Sequence, residues 1–189
     1  YSDDFNLQPD PLLHINIPED GWYSLEISDA VFRGREDFIY RIRIGEFPFI
    51  TSVSPLGGKL GEQVTYQLSG YNLPQNQIVV EHTDVGIGSV SIASNGECSN
   101  QVPVLIDNLW EAVEIEPNDL EKHAAVVVPP AVINGTIGQP GDEDVYSFLC
   151  QKGETICIEV KARRLGSPLD SLLKIADASG RTIAYSDDY

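Results

Sequence analysis

The sequence contains no methionine and only three cysteines, Cys98, Cys150 and Cys157, in 189 residues. Without an initiator, the expectation is a mature or excised piece, any signal peptide having been lost or left out. Three thiols do not make a disulfide framework, and an odd count leaves at least one unpaired within the chain. No CxxC occurs, so zinc-ribbon and thioredoxin-type chemistry have no motif to rest on. Positive charge is also scarce: 12 Lys and Arg stand against 29 Asp and Glu, a net charge of −17. Such a surface repels nucleic-acid phosphates and anionic headgroups, which argues against nucleic acid and membrane surfaces as partners. No apolar run approaches the ~20 residues of a membrane span, so no membrane insertion is expected. Catalytic signals are equally thin. There is no Gly-x-Ser-x-Gly elbow. His14 sits in a strand pattern and His123 in a short turn, His82 has Glu81 and Asp84 near it in sequence, and 29 acids offer no distinguishable catalytic pair. The chain is expected not to be an enzyme.

What is present is strand pattern and turn. Apolar and polar residues alternate in Ile15-Asn16-Ile17, Tyr23-Ser24-Leu25-Glu26-Ile27 and Ile39-Tyr40-Arg41-Ile42-Arg43-Ile44. The same period returns in Val64-Thr65-Tyr66-Gln67-Leu68 and Ile156-Cys157-Ile158-Glu159-Val160. Period 2 marks half-buried strands. Turn signals separate them, among them Pro55-Leu56-Gly57-Gly58, Asn95-Gly96, Asn134-Gly135, Pro140-Gly141-Asp142, Lys152-Gly153 and Ser179-Gly180. The fold class is all-β, a sandwich or jelly roll. Helix is limited to one short turn within residues 118–125, capped by Asn118 or Asp119. Alternation places Cys150 with Tyr146 and Phe148 as a buried apolar residue and Cys157 on the opposite face, so the two are not expected to bond. Trp22, Tyr23, Tyr71 and Trp110 are either core or platforms for stacking on sugars; core is favoured, because Trp22 and Tyr23 straddle one strand.

The texture changes twice along the chain. Residues 1–47 form an acidic β-rich block, residues 48–113 are poorer in charge, and residues 114–189 open on an acidic cluster. The chain begins Tyr1-Ser2-Asp3-Asp4-Phe5 and ends Tyr185-Ser186-Asp187-Asp188-Tyr189. Such a match predicts a tandem repeat with a period of 185 − 1 = 184 residues.

An ordered set of motifs fills residues 114–189. It comprises Glu114-Ile115-Glu116-Pro117-Asn118-Asp119, Asn134-Gly135-Thr136-Ile137 and Pro140-Gly141-Asp142-Glu143-Asp144-Val145-Tyr146-Ser147-Phe148, followed by Lys152-Gly153-Glu154, Arg163 to Asp170, and Asp177-Ala178-Ser179-Gly180. This stretch resembles the first half of a bacterial pre-peptidase C-terminal (PPC) domain, a relative of the collagen-binding domain of clostridial collagenases. Residues 1–47 resemble the closing half, through Asp10-Pro11-Leu12-Leu13, Pro18-Glu19-Asp20-Gly21-Trp22-Tyr23 and Phe38 to Ile44. Between them, Pro48 to Gly58, Gly61-Glu62-Gln63-Val64-Thr65 and Gly70-Tyr71-Asn72-Leu73 look like the opening of an IPT/TIG immunoglobulin-like domain. The expected order is therefore a C-terminal PPC half (1–47), an Ig-like domain (48–113) and an N-terminal PPC half (114–189).

Half a sandwich exposes an apolar face and open strand edges. The halves must close on each other within one chain, pair head to tail with copies of the chain or flanking repeats, or be completed covalently by neighbours. The acidic motifs supply the oxygen ligands that calcium requires: Glu114, Glu116, Asn118 and Asp119 in one string, Asp142 and Asp144 in one turn. The resemblance implies the same ion, together with one further ligand upstream of the Asp-x-Asp turn that the sequence does not single out. Asp3-Asp4 and Asp187-Asp188 read as polar turns. The whole describes an exported, extracellular or cell-surface bacterial module that is structural or adhesive, calcium-stabilised and built as a filament repeat. The alternative is an accessory module that binds a polysaccharide or fibrous protein.

Overall fold

Alternate residues of Gln63–Tyr71 point to opposite faces, and the inward set (Tyr66, Leu68) is buried. In the computed structural model, which describes residues 2, 5 and 10–187, this strand organises a two-sheet sandwich. Phe49–Ser54 is β1, Gly57–Lys59 β2, Gln63–Tyr71 β3, Gln77–Glu81 β4 and Gly86–Val90 β5. The short pair β6 (Ala93–Ser94) and β7 (Glu97–Cys98) precedes β8 (Val102–Asp107) and β9 (Trp110–Val113). One sheet has the order β1-β3-β4 and is antiparallel. The other has the order β2-β8-β5, with β2 parallel and β5 antiparallel to β8. Their facing residues make one core: Ile50, Val53, Tyr66, Leu68, Val90, Ile92, Val104 and Ile106. Each fully buried aliphatic side chain there contributes about 1.5–3 kcal/mol.

Polar groups finish this sandwich. Asn100 Oδ1 accepts from Ile50 N–H at 2.7 Å, and its Nδ2 donates to Ile50 C=O at 2.9 Å. The amide thus covers the open side of edge strand β1, next to a register shift between Ile50 and Ser52. Tyr66 and His82 share a hydrogen bond at 2.8 Å inside the core. Burial, reinforced by the Glu111 charge, pushes the Tyr66 hydroxyl up to about 12. His82 is thus a core histidine.

The Gly57-Gly58 pair lies in strand β2, not in a turn. A Cβ on Gly57 would run into the Leu105 carbonyl of β8, so glycine there serves close approach of two backbones. Asn95 and Gly96, both with positive φ, make the β6–β7 turn as their type requires.

The remaining strands are short: β10 (Ala125–Val126), β11 (Ala131–Asn134), β12 (Tyr146–Ser147), β13 (Leu173–Ala176) and β14 (Thr182–Ser186). β11 runs parallel to β9, so a ladder crosses the sequence position 113/114. β10 runs parallel to β12, and β13–β14 is a hairpin turning at Ser179-Gly180. The helical content among the described residues is two 3-10 turns, Glu121–His123 and Arg163–Leu165. The first has Leu120 at its N-cap position without a side-chain cap. Asn118 does not cap it and is instead fully buried. No helix among the described residues is long and apolar enough to cross a membrane.

Contacts divide the chain into two units, Tyr1–Phe47 and Pro48–Tyr189. In the first unit, residues 10–47 form no strand. Its local order is a turn at Asp29, whose Oδ2 accepts from Arg33 N–H at 2.8 Å, and the Arg35 guanidinium 4.9 Å from the Phe38 ring centroid. Several strand patterns therefore lack strands: those at 15–17, 23–27, 39–44 and 156–160. Trp22 and Tyr23 are both exposed, as are Trp110 and Cys150, against the expectation that they are core. Alternation marks a surface able to be half buried; it does not supply the ladder partner that buries it. None of the three cysteines forms a disulfide among the described residues. Asp3, Asp4 and Asp188 lie outside the described residues.

Candidate metal centre

Glu114 leaves β9 with its N–H still bonded to Asn134 C=O of β11, at 2.9 Å. The next residues turn back sharply. Asn118 N–H donates to Glu116 Oε2 at 2.9 Å, and Val145 N–H donates to Asn118 C=O at 3.1 Å. The second bond ties the Glu-x-Glu-x-Asn-Asp string to the loop carrying Asp142 and Asp144. That loop is itself closed by Asp142 N–H donating to Gln139 C=O at 3.2 Å.

This backbone gathers the acids into two triads that share Glu116. Ligand oxygens of Glu114, Glu116 and Asp144 lie within 4.8 Å of one another, and so do those of Glu116, Asp119 and Asp142. Asn118 sits beside the first triad, its Nδ2 donating to Glu114 Oε1 at 3.4 Å. All six residues singled out from the sequence thus occupy one place. The second triad, with Pro117, Gly138 and Gln139, lines an open concavity of about 370 Å³.

The electrostatics are unfavourable as they stand. Burial lifts the Glu114 carboxyl above its ordinary value, and Asp144 adds to it against the Thr136 N–H. At Glu116 the Asn118 N–H pulls down, but desolvation and the charges of Glu114 and Asp142 outweigh it. Burial, then the Asp142 and Glu116 charges, raise Asp144. Burial and the same carboxylates push the Tyr146 hydroxyl up. Hydrogen bonds reach the acids from the backbone N–H groups of Thr136, Asn118 and Gly138.

Three buried oxygens at this spot have no hydrogen-bond partner: Asn118 Oδ1, Asp144 Oδ1 and Tyr146 Oη. Asn118 is 0% exposed. A buried acceptor without a partner costs about 1–3 kcal/mol, so such atoms need an explanation. Gly135 keeps the space beside Tyr146 Oη and the Asp144 and Glu114 carboxylates clear. A Cβ there would lie 3.0 Å from Tyr146 Oη and 3.1 Å from both Asp144 Oδ2 and Glu114 Oε2. The donor set is all oxygen, carboxylate and amide, which suits a hard divalent cation and not a thiolate- or imidazole-seeking metal.

Gly135 and Tyr146 fall inside the quoted motifs, but their part in the cluster depends on β11 and β12 being brought beside Glu114, which no local pattern shows. His14 and His123 take no part in the cluster.

No family model and no solved structure matches the chain. Among curated proteins it is similar to a probable subtilase-type serine protease of Deinococcus radiodurans, 30% identical over 117 residues. The match takes in 57% of this chain and 16% of that protein, so the likeness concerns one part of a much longer relative.

Proposed function

We propose that the chain is a non-catalytic, all-β module of an exported bacterial protein, structural or adhesive in role, in which calcium ties the acidic string at residues 114–119 to the loop at 142–144. The observation that carries this reading is Asn118: a fully buried amide whose Oδ1 has no partner, set among carboxylates whose ligand oxygens lie within 4.8 Å of one another. A divalent ion supplies the missing partner and offsets part of the −17 charge. Glu114, Glu116, Asn118 and Asp144 would hold it, with Asp119 and Asp142 as ligands on the open side. The resemblance of residues 114–189 to PPC domains supports the same ion. Titration calorimetry of the full chain with calcium tests it. Binding at the micromolar to millimolar level typical of sensor and extracellular sites is expected. Absence of heat and of any melting shift at about 10 mM calcium, tenfold above the weak end of that range, would sink the reading.

The match to the protease favours a second reading, an accessory domain of a secreted hydrolase whose catalytic part lies elsewhere. In that case the module grips a polysaccharide or a fibrous protein. Retention of the chain on insoluble collagen or polysaccharide, without calcium-dependent assembly, would favour it.

A further inference from the structure

The accessible surface of the chain is 14801 Å². Two separate compact bodies of 47 and 142 residues would together expose about 10,500 Å². The surplus, about 4,300 Å² by the same scaling, goes with residues 10–47, which form no strand, and with the short strands after β9.

Part of the exposed apolar surface lies along strand patterns that have no strand partner. Tyr23, Leu25 and Ile27 alternate along one segment and are 54%, 53% and 47% exposed. Ile156, Ile158 and Val160 alternate along another and are 44%, 43% and 38% exposed. Neither segment belongs to a sheet. A run of this kind offers both an apolar stripe and open rows of N–H and C=O groups, which an added strand satisfies together.

Charge and sequence point to the occupant. Residues 10–32 carry Asp10, Glu19, Asp20, Glu26 and Asp29 and no Lys or Arg. Immediately past the second stripe stand Lys161, Arg163 and Arg164, three of the chain's 12 basic residues within four positions. Their present partners, Glu159 and Asp170, are exposed ion pairs, which are weak and readily exchanged. Moreover, Tyr185-Ser186-Asp187-Asp188 repeats Tyr1-Ser2-Asp3-Asp4, so the sequence at the tail matches the sequence that leads into residues 10–32.

We propose that residues 10–32 of one copy add as strand to the stripe at residues 156–160 of a second copy, joining chains head to tail. The acidic head meets the basic cluster, and Tyr23, Leu25 and Ile27 cover Ile156, Ile158 and Val160. Because the two surfaces differ, a pair of copies still leaves one head and one tail open, so assembly runs past the dimer to an open filament or a ring. This rests on the reading of the chain as a structural module but not on calcium.

The test is the mass of the full 189-residue chain by light scattering over a concentration series, in calcium and in chelator. Multiples of 20.8 kDa that grow with concentration are expected. Leu25→Asp spoils the head and Ile158→Asp the tail, so each alone should remain monomeric. Mixed, they should form dimers and stop, since one intact head then meets one intact tail. A wild-type mass that stays at 20.8 kDa throughout overturns the proposal. So does a monomeric mixture of two variants that keep the wild-type circular dichroism. If either variant loses that spectrum, the wild-type series alone decides. Growth that is indifferent to chelator upholds the docking and removes the ion from it; calcium heat without growth upholds the ion site and overturns the docking.

Discussion

Asn118 and Glu114 are linked by a long hydrogen bond, Nδ2 to Oε1 at 3.4 Å, which fixes the amide orientation and leaves Asn118 Oδ1 buried without a donor. In the proposed site that oxygen is a ligand. Asn118→Ala is therefore expected to weaken calcium binding by at least about tenfold, or 1.4 kcal/mol. In chelator the same change should cost little, because it removes an unsatisfied acceptor along with the amide. Calorimetry and melting curves with and without calcium separate the two. An equal loss of stability in both conditions would mean that Asn118 is only a packing residue.

Gly135 makes a sharper probe, since nothing there is a ligand. An added Cβ meets three oxygens at 3.0–3.1 Å, and the backbone carrying it belongs to the segment directly after β11. The oxygens must move apart by a few tenths of an ångström, which spoils a site whose affinity depends on ligand spacing. Gly135→Ala should lower calcium affinity about tenfold while leaving the two-sheet sandwich of β1 to β5 and β8 folded. Unchanged affinity would place the ion away from Tyr146 and Asp144, on the side of Asp119 and Asp142.

Some of this was legible in the sequence. Alternation in Val64-Thr65-Tyr66-Gln67-Leu68 marks β3 correctly, because a central strand between β1 and β4 has a partner on both edges and a core beneath it. Asn95-Gly96 marks its turn because the required positive φ belongs to those residue types. The six candidate ligands come together because they lie in two short strings, so only one long-range contact, Val145 N–H to Asn118 C=O, is needed to join them. Tyr146 and Gly135 enter the cluster through that contact and the β9–β11 ladder, which leave no periodic trace. The patterns at 23–27 and 156–160 show the opposite lesson. They carry strand periodicity without strand pairing, since pairing is a property of two segments and periodicity of one. Gly57-Gly58 carries turn chemistry yet forms β2, because closeness to Leu105 needs the same missing Cβ that a turn favours.

The Tyr66–His82 pair is expected to matter for stability alone. Tyr66 is fully buried and its hydroxyl meets His82 Nε2 at 2.8 Å. Tyr66→Phe keeps the ring and strands the histidine nitrogen, which should cost about 1–3 kcal/mol. Urea unfolding monitored by circular dichroism reads this directly, and calcium affinity should not change. Asn100→Ala, which strips both hydrogen bonds from Ile50, should cost a similar amount by leaving the β1 backbone uncovered.

The response to pH separates an ion site from an acidic surface. Glu114, Glu116 and Asp144 all have carboxyls raised above their ordinary values of 4.5, 4.5 and 3.8. Between those values and the raised ones the folded chain holds more protons than the unfolded chain, so stability falls as pH rises. In chelator the chain should therefore melt higher near about pH 5 than near about pH 7. Asp29 and Asp177 work the other way, with carboxyls lowered from 3.8 by hydrogen bonds, from Arg33 at Asp29 and mainly from Ser179 at Asp177. Their contribution is lost only below that value, outside the window. Calcium reverses the slope, because its ligands must be deprotonated and acid competes with the ion. Calorimetric melting at the two pH values, in calcium and in chelator, should give slopes of opposite sign. Slopes of the same sign would mean that the carboxylates at residues 114–119 and 142–144 repel one another without holding an ion between them.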